Sequence, residues 1–340
     1  MKFLGKVKVS IVVPVYAGEA YLERLIAEIE KARHDWEAQR APVEICELIM
    51  VNDAARDGSA EVMECLAATR PWIVILTLSR NFGQHAATIA GILHSSGDWV
   101  VTLDEDMQHP PSRIEDLLRT AVRKQADVVY ARPTSAIVHG KAWRDGSSRY
   151  FKRFMEWLTG NPTLRLVNSF RLMRGEIARA TASVCSHNTY FDIALFWFTQ
   201  RIEGTSIDLH DERFAGSGKS SYNFKSLVNH AQKMMFSSQL RFLALGMWIG
   251  IGLFAFSILS GVYFTLVRLI APDAIGVEGW TSLFVVLTMS AGLLAAMLGL
   301  CLQYLATLVL KAHGRPTFFT IDRSSDHKLQ DWYSAQDEAR

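Results

Sequence analysis

Cysteine is scarce in these 340 residues, and the four present (Cys46, Cys65, Cys185, Cys301) lie far apart with no C-x-x-C pair among them. That spacing builds neither a zinc site nor a disulfide framework, and it predicts reduced, packed thiols on the cytosolic side. No G-x-G-x-x-G follows the first apolar run, which argues against hydride transfer on a dinucleotide. Charge of one sign is not in excess either. The net charge is +2 with both signs interspersed, so no nucleic-acid partner is expected. An export signal is not expected, because Lys6 and Lys8 interrupt the apolar start and Pro14-Val15-Tyr16 ends it. The most telling absence is that of any charge from residues 242–267 and 279–310. Each stretch exceeds the roughly 20 apolar residues that cross a bilayer as a helix.

Upstream, β-branched runs alternate with helical spacing. Residues 7–15, 43–51, 72–78, 99–103 and 127–130 read as strands, and 20–40, 60–69, 86–95 and 112–124 as helices. Strand, loop and helix recurring at about thirty-residue intervals predict an α/β fold with a mostly parallel, Rossmann-like sheet. Right-handed crossovers gather the polar C-terminal strand ends on one rim, where such sheets bind ligands. There the run Trp99-Val100-Val101-Thr102-Leu103 stops abruptly in Asp104-Glu105-Asp106-Met107-Gln108-His109-Pro110-Pro111. Three successive carboxylates repel one another and gain nothing structural at a strand end, a cost that a divalent cation removes. Asp104, Asp106 and Gln108 are expected on one side of an extended chain. Two carboxylates and an amide oxygen suit a hard ion, Mg²⁺ or Mn²⁺, with positions left for phosphate oxygens. The rival is an acidic turn on a solvated rim. Asp53, after the second strand, should share the cleft.

Gly216-Ser217-Gly218-Lys219-Ser220 imitates a phosphate-binding P-loop, but Arg213 stands where the first glycine is required. No apolar strand precedes it, so an NTPase is rejected. Basic residues crowd 132–174 and are interleaved with Trp143, Tyr150, Phe151, Phe154 and Trp157, a mixture suited to phosphate and lipid headgroups. Residues 224–241 predict an amphipathic helix on a membrane surface, with a soluble core helix as the alternative. Lys233 and Arg241 precede the first span, Lys311, Arg315 and Arg323 follow the second, and loop 271–278 has neither Lys nor Arg. The positive-inside rule then puts both ends in the cytoplasm. Gly246-x-x-x-Gly250 and Ser257-x-x-x-Gly261 allow close helix contact and leave open a homo-oligomer through the spans. The expected division is a catalytic domain over 1–223, an interfacial helix over 224–241, a transmembrane hairpin over 242–310 and a cytosolic tail over 311–340.

Six stretches carry a resemblance. They are Pro14-Val15-Tyr16-x-x-Glu19, Val51-Asn52-Asp53-x-x-x-Asp57-Gly58-Ser59, Arg80-Asn81-Phe82-Gly83-Gln84-His85, the Asp104 to Pro111 segment, Phe170-Arg171-Leu172 and Gly218-Lys219-Ser220-Ser221-Tyr222. With the paired apolar segments and Arg315-Pro316, the chain resembles the polyprenyl-phosphate glycosyltransferases. These are inverting family-2 enzymes of GT-A fold, such as dolichol-phosphate mannose synthases and bacterial undecaprenyl-phosphate sugar transferases. The resemblance implies transfer of one sugar from a nucleotide-sugar, UDP being the commoner carrier in bacterial relatives, onto polyprenyl phosphate in the bacterial inner membrane. It implies that Pro14, Tyr16, Glu19 and Asp53 hold the nucleoside, and that Asp104, Asp106 and Gln108 hold Mg²⁺ or Mn²⁺. Arg213, Lys219 and Ser220 would face the diphosphate, while Arg132, and Arg144 with Ser148, would bind the acceptor phosphate.

Such an acceptor is already an anion at neutral pH, its second pKa being about 6. Catalysis then consists mostly of positioning and leaving-group stabilisation. Three departures from the family pattern stand out. Ala54-Ala55 replace the Gly-Ser of many relatives, Asn168-Ser169 occupy the place of an acid considered as a base, and Arg213 lies five residues before Gly218 instead of three. Gln84-His85 resembles the aminoarabinose-type transferases. Rival readings are a processive polysaccharide synthase, whose Gln-x-x-Arg-Trp motif is absent, and a non-catalytic membrane-anchored nucleotide-sugar sensor.

Overall fold

The structure is a computed structural model that describes residues 5–133, 166–185, 189–207, 241–270, 279–312, 314, 316, 320–323 and 326–338. In chain order its elements are β1 (Val7–Val15), α1 (Leu22–Ala38), β2 (Val43–Asn52), α2 (Ser59–Ala68), β3 (Ile73–Thr77), α3 (Gln84–His94) and β4 (Trp99–Thr102). There follow α4 (Ile114–Arg123), β5 (Val128–Pro133), β6 (Arg171–Arg174), α5 (Gly175–Val184), α6 (Phe191–Leu195) and β7 (Ile202–Ile207). Three helices end the chain: α7 (Arg241–Ile270), α8 (Trp280–Ala312) and α9 (Asp326–Glu338). The described residues fall into two compact units, one made of 5–207 with 316–338, the other containing 241–312.

In the first unit one sheet runs β3-β2-β1-β4-β6-β5-β7. Four of its pairs are parallel, as the strand–helix alternation predicts, whereas β6 runs antiparallel to β4 and β5. The β-branched runs of β1 and β2 are buried on both faces, as parallel strands covered by helices must be. Val9, Ile11, Val13 and Val15 share one core with Leu22, Leu25, Ile26 and Ile29 of α1 and Leu117 and Leu118 of α4. Val12 shares the opposite core with Ala87 and Ile92 of α3 and Ile177 and Ala178 of α5. The order reverses at β1, with β2 and β3 on one side and β4 on the other, and such a switch opens a crevice at the C-terminal strand ends. Pro14 sits past the last β1–β4 pair, Val12 with Thr102, so its missing N–H costs no ladder bond there.

The sequence marks 311–340 only as a tail, but α9 belongs to the first unit. Leu329 and Tyr333, one turn apart on α9, are buried in the core shared by α1 and α4. The Arg119 guanidinium lies 4.9 Å over the Tyr333 ring and pairs with Asp337 at 2.6 Å. Just before α9, Arg323 reaches the buried Asp127 carboxylate at 2.6 Å. The same carboxylate accepts from Arg174 Nε at 2.9 Å and from Thr199 Oγ1 at 2.7 Å. Arg174 in turn pairs with Asp326.

In the second unit α7 and α8 pack antiparallel through glycines. A Cβ added at Gly250 would come within 2.3 Å of the Ala296 nitrogen, and one at Gly292 within 2.6 Å of the Phe254 nitrogen. Of the small residues expected to mediate contact, Gly250 and Gly261 face α8, and Ser257 is buried with its hydroxyl bonded back to Leu253 O of its own helix. Met247–Ile270 and Trp280–Val309 have mean hydropathies of 1.9 and 2.3. A soluble core helix hides its apolar side chains; here Leu259, Leu269 and Leu294 are 70%, 75% and 67% exposed. Both helices are long and apolar enough to cross a membrane. Residues 224–240 of the expected interfacial helix lie outside the described residues. All four cysteines are free, but Cys65 and Cys301 are exposed, so packing holds for Cys46 and Cys185 alone. Burial pushes those two thiols up, that of Cys185 to about 12.

Candidate active site

The rim is assembled from the loops after β1, β2, β3 and β4. Because β6 is antiparallel and pairs Arg171 with Thr102, it delivers its leading residues, Asn168 and Ser169, to the same rim. The β1 loop is held from two directions. Glu105 accepts from the backbone N–H of Tyr16 at 2.8 Å and of Ala17 at 3.1 Å, and it lies so close to Gly18 that a Cβ there would sit 2.7 Å from its Oε2. On the other side Glu19 accepts from Gly58 N–H at 2.9 Å, while Ser59 Oγ accepts from Gly18 N–H at 3.0 Å. The Asp57-Gly58-Ser59 turn thereby fastens β2 to the β1 loop. The Arg56 guanidinium covers the Tyr16 ring at 5.1 Å.

Asp53 is buried at the end of β2, and its two oxygens accept from Phe82 N–H at 2.7 Å and Gly83 N–H at 2.8 Å. The next residue, Gln84, donates from Nε2 to Asp104 Oδ1 at 2.6 Å, and Ser169 Oγ donates to Asp104 Oδ2 at 2.8 Å. His109 is buried against Phe170, and its Nδ1 accepts from the Asp104 N–H at 3.1 Å, which requires that nitrogen to be unprotonated. Asp104 Oδ2 lies 3.6 Å from that nitrogen; burial lowers the imidazole pKa, and the charges of Asp104 and Asp106 oppose the shift.

Two expectations need correcting. The three acids do not act alike, because Glu105 serves the fold by closing the β1 loop through backbone donors. Nor does strand alternation bring Asp104, Asp106 and Gln108 together. β4 ends at Thr102, residues 105–106 turn, and Met107 has φ +63°, so the chain curls instead of extending. Gln108 donates its backbone N–H to Asp106 Oδ1 at 3.3 Å. The acids are gathered by a turn around His109, a residue the sequence does not single out.

The profile of Glycosyl transferase family 2 matches residues 10–181, half of the chain and all of the rim just described. The chain belongs to that family. Among curated relatives, the undecaprenyl-phosphate 4-deoxy-4-formamido-L-arabinose transferase of Pseudomonas aeruginosa PAO1 is 32% identical, covering 92% of this chain and 88% of its own. The enzyme of the same name from Shewanella sediminis is 30% identical and covers 92% of both. Photorhabdus laumondii supplies one at 29%, covering 97% of this chain and 98% of its own. The protein is a glycosyltransferase of GT-A type, in the polyprenyl-phosphate branch. Among solved structures it is similar to S. aureus TarS 1–349 in complex with UDP-GlcNAc, at 13% identity over 69% of this chain and 68% of that one, with a TM-score of 0.44. Glucosyl-3-phosphoglycerate synthase from Mycobacterium tuberculosis, solved with Mn²⁺ and UDP-glucose, matches at 13% identity over 68% and 79%, with the same TM-score.

In this glycosyltransferase the Phe170-Arg171-Leu172 motif is structural. The Arg171 guanidinium is buried, paired with Asp192 and lying 4.6 Å over the Phe191 ring. Asp192 also accepts from the Tyr130 hydroxyl at 2.6 Å; burial and that carboxylate push the phenol well above its ordinary range. Arg132 is exposed near the C-terminal end of β5, two strands from β4. At about 4.8 Å per strand it stands roughly 10 Å across the sheet from the β4 end. Arg144, Ser148, Arg213, Lys219 and Ser220 lie outside the described residues. Among the described residues no three His, Cys, Asp or Glu side chains form a closed metal cage. Carboxylate oxygens such as those of Asp104 and Asp106, two residues apart on this turn, are the ligand type of an ion of the Mg²⁺ kind, which keeps most of its shell for water and phosphate oxygens.

Proposed function

We propose that this glycosyltransferase moves a single sugar from a UDP-sugar onto undecaprenyl or another polyprenyl phosphate, with inversion at the anomeric carbon, for modification of a cell-envelope glycan or lipid. The observation that carries this is the joining of Asp53 to Asp104 through residues 82–84 at the β1/β4 switch, with Asp106 on the same turn, in a chain with two bare apolar helices. Asp53 keeps lone pairs for a base imino N–H, and Tyr16 with Pro14 lines the nucleoside side. Glu19 keeps one oxygen for ribose hydroxyls. Asp104, Asp106 and the Gln108 amide hold Mg²⁺ or Mn²⁺, which when bound offsets the charge developing on the departing diphosphate. Arg213, Lys219 and Ser220 face that diphosphate. Arg132, with Arg144 and Ser148, orients the acceptor phosphate, itself the nucleophile, for in-line attack. The sugar in the name of the curated relatives, 4-deoxy-4-formamido-L-arabinose, is the first to test as its UDP derivative.

The enzyme lies in the bacterial inner membrane with its catalytic unit and both termini in the cytoplasm. Support comes from α9: the chain beyond the second apolar helix rejoins the unit it left before the first, as an even number of crossings requires. A homo-oligomer through the exposed helix faces belongs to the same reading. Membranes containing the protein are incubated with a panel of nucleotide-sugars, and the butanol-extractable lipid is weighed by mass spectrometry. One added sugar per polyprenyl phosphate, abolished by EDTA, is the expected outcome. Full transfer in EDTA removes the metal, and no lipid product from any donor removes the activity.

A further inference from the structure

Gln84 and Ser169 have no assigned part in this site, yet between them they engage both oxygens of the Asp104 carboxylate. We propose that they are positioning residues which hold that carboxylate ready for the cation and tie the nucleoside side of the cleft to the diphosphate side. The inference rests on the metal-dependent reading above.

Each donor is neutral. Gln84 Nε2 takes Oδ1 at 2.6 Å and Ser169 Oγ takes Oδ2 at 2.8 Å, so the carboxylate is fixed in orientation without its charge being cancelled. An ionised carboxylate offers about four lone-pair sites, and two of them remain for an ion. A third neighbour, His109, accepts the Asp104 N–H at Nδ1 and so engages the backbone of that residue. A lysine or arginine in place of either donor would orient the group equally well and repel the cation.

Both donors are themselves anchored. Thr88 Oγ1 donates to the Gln84 carbonyl at 2.8 Å, and Thr102 Oγ1 donates to the Ser169 carbonyl at 2.5 Å. The loop that presents Gln84 is set by Asp53, through Phe82 and Gly83, the latter at φ +91°, which glycine adopts without strain. One hydrogen-bonded path thus runs from Asp53 through residues 82–84 to Asp104 and Ser169. A hydroxyl at position 169 donates to the acid beside it, where a further carboxylate would only repel it.

The test is binding of Mn²⁺ to the purified full chain in detergent, followed by the electron paramagnetic resonance signal of the free ion, with and without UDP. Loss of an outer partner of a metal ligand weakens metal affinity by about 10–100-fold. Gln84→Met and Ser169→Ala are therefore expected to bind Mn²⁺ at least tenfold more weakly at unchanged melting temperature, and Ser169→Thr, which keeps the hydroxyl, to retain the wild-type affinity. Wild-type binding in Gln84→Met and Ser169→Ala overturns the positioning role and leaves the metal reading intact. A wild-type chain that binds no Mn²⁺ even with UDP overturns both. Should Ser169→Ala fail to fold, Gln84→Met against Ser169→Thr decides the matter.

Discussion

Carboxylates in the catalytic unit are held in two opposite ways. Asp127 and Asp192 face guanidinium groups, those of Arg174 and Arg323 for the first and of Arg171 for the second. Asp53 and Asp104 are gripped by neutral donors, backbone N–H groups for one and an amide and a hydroxyl for the other. The first arrangement cancels charge inside the protein and serves the fold. The second fixes an oxygen pair in space with no guanidinium beside it among the described residues. An acid at a strand end is therefore read better by what holds it than by its neighbours in sequence.

Breaking one member of each set separates the two roles. Asp104→Asn keeps the shape and removes the charge, so transfer to lipid is expected to fall by about 10³-fold, the scale of losing one transition-state contact. Its melting temperature should stay with the wild type; a loss below tenfold would place Asp104 with the structural acids. Asp127→Ala strands two arginines beside one another. Stability should drop by about 3–5 kcal/mol, read as a lower denaturation midpoint in detergent, while the folded fraction keeps its KM for donor. Tyr333 sharpens the contrast because its buried hydroxyl has no hydrogen-bond partner among the described residues. Tyr333→Phe is expected to raise stability by about 1 kcal/mol, whereas Tyr333→Ala removes about 3–5 kcal/mol of packing; equal melting of Phe and Tyr forms would mean water reaches that oxygen. The smallest effect belongs to Ala54, held at φ +53°. Relief of roughly 1 kcal/mol of left-handed strain, set against the greater freedom of glycine in the unfolded chain, leaves a gain on the order of 0.5 kcal/mol for Ala54→Gly, checked by its denaturation midpoint.

Much of the sheet is legible in the chain, because β1 to β5 are runs of β-branched residues spaced by amphipathic helices. β6 is not, since Arg171-Leu172-Met173-Arg174 is four residues long and places two charges among its buried positions. Nor is α9, whose Leu329, Trp332 and Tyr333 are too few apolar residues to announce a core contact with α4, more than two hundred positions earlier. At the site the acids themselves are visible as D-x-D. Their holders are not, because Gln84 and Ser169 lie 20 and 65 residues from Asp104 in sequence. Alternation fails beyond Thr102 because the backbone leaves the strand there, and no side-chain pattern announces the left-handed Met107.

The late position of α9 also sets an order of events during synthesis. Leu329 and Tyr333 leave the ribosome after α7 and α8 have already been made, so the pocket they fill near α4 stays open until then. A nascent chain halted before its second apolar helix has every acid of the cleft and still lacks part of the floor beneath the sheet. The core between α1 and α4 is thus completed by a helix made after both apolar helices.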